Sequence, residues 1–152
     1  LDLVSFLPQL ILRTMNPILK NVLASLAGLV VMMAVNMGLV ILLGSMFPPP
    51  VGFDINDVNS INDNLHRYST FQLMMPFIAH AGGTLAGCMT AAKIASSHKL
   101  LIVIILAAVH FAGGVMMIQM LSNSPTWFNV LDLGLAYFPM AFIGYKLVGG
   151  KK

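Results

Sequence analysis

Four apolar runs alternate with short polar stretches along the chain: residues 22–46, 71–95, 100–121 and 128–148. A spanning helix needs about 20 mostly apolar residues, because each adds about 1.5 Å of rise against about 30 Å of hydrocarbon. Each run meets that length. The pattern predicts an all-α, polytopic membrane protein: four transmembrane helices in one membrane domain that takes up nearly all of residues 1–152. Pro48-Pro49-Pro50 ends the first run, since proline lacks the amide donor that a helix needs. The polar segment that follows places Ile55, Val58, Ile61, Leu65 and Tyr68 at three-to-four spacing. That period predicts a short amphipathic helix in the first outer loop, with Asp54 as its N-cap, lying on the membrane surface.

The second run, FQLMMPFIAHAGGTLAGCMTAAKIA, organises the others. Ala79, Gly83, Gly87, Ala91 and Ala95 recur every four residues and form a row on one helix face. Small residues at that spacing let another helix approach closely. The row serves either packing against a neighbouring span of the same chain or a homo-oligomer seam. Pro76 lies one turn before His80 and predicts a kink there.

Composition agrees with the pattern: 58% of residues are apolar and 9% charged, against about 25% charged in soluble domains. The distribution of lysine and arginine sets an orientation. Arg13 and Lys20 precede the first run, Lys93 and Lys99 flank the second turn, and Lys146, Lys151 and Lys152 end the chain. The first loop has Arg67 against Asp54, Asp57 and Asp63, and the third connection has no cation. Both termini are therefore expected in the cytoplasm. Nucleic-acid binding is not expected, because no basic cluster is interleaved with aromatics. Residues 1–14 are too short to span and lack a basic leader. Met15 reads as the natural start, with residues 1–14 lying outside the native chain.

Polar residues inside the runs carry the candidate chemistry, since each is costly in hydrocarbon. Counted at about 1.5 Å per residue from the outer end of each run, Asn36, His80 and His110 fall at about 13–16 Å, and Asp132 at about 6 Å. Gln119 falls near the level of Asp132. The expected intramembrane polar layer is thus Asn36, His80 and His110, opening outward past Asp132 and Gln119. Three readings fit it. Hydrogen bonds of this kind hold helical bundles together and need no further role. Histidines and a carboxylate also suit a proton or cation conduit, since imidazole titrates near neutral pH. Finally, His80 and His110 each stand beside a Gly-Gly pair, as axial ligands of a b-type haem would.

Other chemistries find little support. A zinc site needs three or four ligands, and the single Cys88 lies about 12 Å along the helix from His80. No phosphate loop, GxSxG elbow or HExxH motif is present, and the acidic loop lacks the Gly and Glu of a calcium hand. A non-enzymatic bundle in a bilayer is the leading expectation, with a homo-oligomer or a larger membrane complex as an open alternative. MNPILKNVLASLAGLVV, the PPP stop, PFIAHAGGTLAG with AAKIASSHK, and PTWFNVLDLGLAYFPMAFIG together resemble a group of small four-span proteins of bacterial inner membranes. The resemblance runs from Met15 to about Leu147. It implies this fold and that location, and brings no assigned activity or site residue.

Overall fold

A computed structural model describes residues 15–148. The expectation that Met15 is the native start concerns residues outside that range. Helix α1 is Pro17–Met46; Asn16 caps it by accepting from the Ile18 amide at 2.8 Å, with proline in its first turn. Helix α2 is Val58–Asn64, followed by a 3-10 turn, Leu65–Arg67. Helix α3 is Thr70–Ile94, opened by a capping box in which Ser69 and Gln72 satisfy each other's backbone amides. Helix α4 is Lys99–Met120, α5 is Thr126–Leu135 and α6 is Phe138–Leu147. Among the described residues, α1, α4 and the pair α5–α6 are long and apolar enough to cross a membrane.

Two expectations are corrected. The short loop helix begins three residues later than expected, because Asp57 rather than Asp54 is its cap. The Asp57 carboxylate accepts from the amides of Asn59 and Ser60 at 3.1 and 3.2 Å, while Asp54 spends its own oxygen on Asn56. The fourth run, expected as one helix over 128–148, is broken at Ala136-Tyr137. Pro139 lies within the first two positions of α6 rather than mid-helix. A proline there offers no amide to the preceding turn, and its ring would collide with the Leu135 carbonyl in a continuous helix. Pro76, by contrast, is accommodated inside the single helix α3.

Helix α3 is the centre of the bundle and packs against α1, α4, α5 and α6. Its row of small residues is filled from within the chain. A β-carbon on Gly87 would lie 2.5 Å from the Gly28 carbonyl oxygen and 2.5 Å from Met32 Cβ. One on Gly83 would lie 2.8 Å from the Met32 carbonyl, and one on Gly28 would meet Ala91 at 2.7 Å. The backbones of α1 and α3 thus touch along the row, and dispersion between them replaces contact with lipid. Cys88 is buried in the same core, beside Ala92 and Val103.

Side-chain clasps close the two ends. At one end Asn21 of α1 holds the turn after α3: its Oδ1 accepts from the Ser96 and Ser97 amides at 3.0 and 3.3 Å, and its Nδ2 donates to the Ser97 hydroxyl at 3.0 Å. At the other end Asn62 of the loop helix accepts from the Asn123 amide at 2.9 Å. Lys20, Lys93, Lys99 and Lys146 belong to the first end, and Asp54, Asp57 and Asp63 to the second.

Candidate functional site: a buried histidine–aspartate network

Two histidines face each other in the bundle interior, one from α3 and one from α4. Their ring centroids are 5.7 Å apart, with planes nearly perpendicular at 82°. His80 Nδ1 lies 2.9 and 3.0 Å from the two carboxylate oxygens of Asp132, which is only 2% exposed. Tyr137, fully buried, donates its hydroxyl to Asp132 Oδ2 at 2.9 Å and stands 3.0 Å from His80 Nδ1. Thr84 completes the network. Its hydroxyl donates to the His80 carbonyl at 2.8 Å and stands 2.8 Å from His110 Nδ1.

With Asp132 ionised, these bonds select one tautomer at each imidazole. A hydroxyl has one proton to donate. Thr84 spends its proton on the His80 carbonyl, so it accepts from His110, and His110 carries hydrogen on Nδ1. A carboxylate donates nothing, so His80 also carries hydrogen on Nδ1 and directs it at Asp132. In their neutral forms both rings therefore keep a lone pair at Nε2. Orientation of an imidazole through Nδ1 is a general way of setting which nitrogen is reactive.

The break in the fourth run builds this site. Asp132 lies in α5 and Tyr137 just before α6, five residues apart, and the intervening turn brings both groups onto His80. Gly114 of α4 makes room: a β-carbon there would collide with the Tyr137 hydroxyl and lie 2.7 Å from its Cζ. Because both obstacles belong to one buried ring, Gly114→Ala is expected to push Tyr137 off Asp132 and cost about 1–3 kcal/mol. Thermal denaturation in detergent measures the loss. In a double-mutant cycle with Tyr137→Leu the two losses are expected to be strongly non-additive, and simple additivity would contradict the fit.

The expected polar layer is only partly assembled. His80 and His110 are brought together, and Asp132 is bonded directly to His80. Asn36 is adjacent in α1, its Cβ pressed on Gly83, yet its buried Oδ1 accepts no hydrogen bond among the described residues. Gln119 stands on an exposed face of α4, outside the network. Ala79, Gly83, Gly87, Ala91 and Ala95 are all buried. The Gly-Gly pairs do not both open onto the histidines: Gly82 faces Leu39, Gly83 faces α1, and Gly114 is covered by Tyr137. Thr84 and Tyr137 are the two members that sequence reasoning missed. One signal for Tyr137 was available in Pro139, two residues on, since a proline disfavours a continuous helix through that turn.

No protein-family model matches the chain, and no curated protein or solved structure matches it significantly. The fold and site define an all-helical protein with apolar, membrane-compatible helices around an ionisable interior.

Proposed function

We propose that the chain is a four-span membrane protein, with both termini on the cytoplasmic side, whose interior network takes up and releases protons. The observation that carries this reading is the burial of the Asp132 carboxylate in one hydrogen-bonded group with two histidines and a tyrosine. A carboxylate at membrane depth is costly, and such groups mark ion paths and proton relays. With Nδ1–H held by Asp132, His80 takes up a proton at Nε2, and the resulting imidazolium faces the carboxylate. His110, with Nδ1–H on Thr84, is a second base of the same tautomer 5.7 Å away between ring centres. The segregation of lysines to one end and aspartates to the other supports the orientation. A bacterial inner membrane is the location that the sequence resemblance suggests.

Reconstitution in liposomes under an imposed pH gradient tests the reading. His80→Ala is expected to lower proton flux roughly tenfold or more, the effect of losing a positioned proton carrier, and His110→Ala to lower it as well. Flux equal to that of empty vesicles for the unaltered protein, or unchanged flux in both variants, would leave the network with a purely structural role. That second role has its own support in the way Asp132 and Tyr137 clasp the broken run to α3.

A further inference from the structure

The end of the bundle that carries the lysines has an open groove of about 710 Å³ between the turn after α3 and the last turn of α6. Its polar rim is Ser96, Ser97, His98 and Lys99; its wall is apolar, built from Leu100, Leu101 and Ile104 with Tyr145 opposite. A second cavity, about 240 Å³, lies next to it between α4 and α6. Leu100 and Ile104 line both, and Phe138 and Phe142 close the far side of the second, which has almost no polar surface. A polar groove thus adjoins an apolar cleft whose lining residues Leu100, Ile104, Phe138 and Phe142 are exposed on the outer face of the bundle.

We infer that this groove and cleft bind one anionic phospholipid, the headgroup phosphate at Ser96–Lys99 and an acyl chain along Ile104, Phe138 and Phe142. Charge, shape and position agree on that occupant. Lys99 and His98 stand on the rim, Lys93 and Lys146 belong to the same end, and the described acidic residues are Asp54, Asp57 and Asp63 at the opposite end and Asp132 in the interior. Helix α4 begins here without a side-chain cap, and the amides of Lys99, Leu100 and Leu101 find no acceptor among the described residues. They add donors and the positive end of a 22-residue helix to the rim. A soluble anion would use the rim and leave the cleft without purpose; a zwitterionic lipid would fill the cleft and leave the lysines uncompensated. Basic pockets between helices on the cytoplasmic side bind anionic headgroups for these reasons.

The inference rests on the membrane reading above, and the test separates the two. The full chain, purified in nonionic detergent, is titrated by native mass spectrometry with phosphatidylglycerol and with phosphatidylcholine of identical acyl chains. Phosphatidylglycerol is expected to bind more tightly. Lys99→Gln is expected to lower its affinity about fivefold, as befits one interfacial cation, and to leave phosphatidylcholine unaffected. Ile104→Trp, which fills the cleft, is expected to weaken both lipids alike. Millimolar inorganic phosphate is expected not to displace the lipid. Equal affinities for the two lipids, no change in Lys99→Gln, or displacement by phosphate would each overturn the lipid assignment, the last in favour of a free-anion site. Recovery of the chain from cells in soluble form without detergent would instead overturn the membrane reading itself.

Discussion

Gly87→Leu is expected to prevent the bundle from assembling. A β-carbon alone at this position comes within 2.5 Å of the Gly28 carbonyl oxygen and of Met32 Cβ, and within 3.0 Å of Met32 Cα. None of those atoms is the free end of a flexible side chain, so relief requires α1 and α3 to move apart. Separation at Gly87 also opens the contacts at Gly83 and Ala91, because the row is continuous. Gly87→Ala is expected to cost about 1–3 kcal/mol, the usual penalty for an extra carbon in a close-packed site; leucine is expected to exceed what a small bundle tolerates. The control is Gly38→Ala. Nothing lies within 4 Å of the β-carbon it would add, and alanine is favoured over glycine inside a helix by up to about 1 kcal/mol. Thermal unfolding in detergent, followed by size-exclusion chromatography, reads all three. Gly87→Ala matching the parent in stability would mean that the α1–α3 crossing is looser than described.

The second large effect is expected for Asp132→Ala. This substitution strips His80 Nδ1 and the Tyr137 hydroxyl of their shared acceptor in a site with little access to water. Each buried donor left without its acceptor costs about 1–3 kcal/mol, and this change leaves two. Asp132→Asn is the more informative change. It retains shape and one acceptor oxygen, so its stability loss is expected to be smaller, near the about 1–3 kcal/mol of a single unsatisfied buried group. It cannot carry the negative charge that faces a protonated His80, so its proton flux is expected to fall as far as that of Asp132→Ala. Stability and transport measured on the same two preparations separate a clasp from a relay. If Asp132→Asn keeps normal flux, the carboxylate serves only to hold the helices.

The apolar helices were legible in the chain because length and hydropathy decide them, and the boundaries lie close to those that the runs predict. His80, His110 and Asp132 were legible for the complementary reason: each is a conspicuous cost in an apolar segment. Thr84 was not, because inside GGTLAG it reads as one more small residue of the packing row, and its hydroxyl could have been satisfied by its own helix. Tyr137 was hidden by position. In a continuous helix it lies five residues after Asp132, about 140° around the axis, and only the break before Pro139 brings the two side chains together. Gln119 differs the other way. Depth alone placed it with the histidines, whereas its angle around α4 puts it on an exposed face, and the periodicity of a nearly uniform apolar run does not encode that angle.

The glycines of α3 have a consequence for how the chain enters a membrane. Small and polar residues make α3 adaptable to its neighbours and leave it outside the set of helices whose own composition favours spanning. On the four-span reading, α1 partitions into lipid by itself as it emerges during synthesis, while α3 gains much of its preference for the bilayer from the groove that α1 already offers. On that reading insertion would be sequential, with α1 serving as the surface against which α3 carries its histidine to depth.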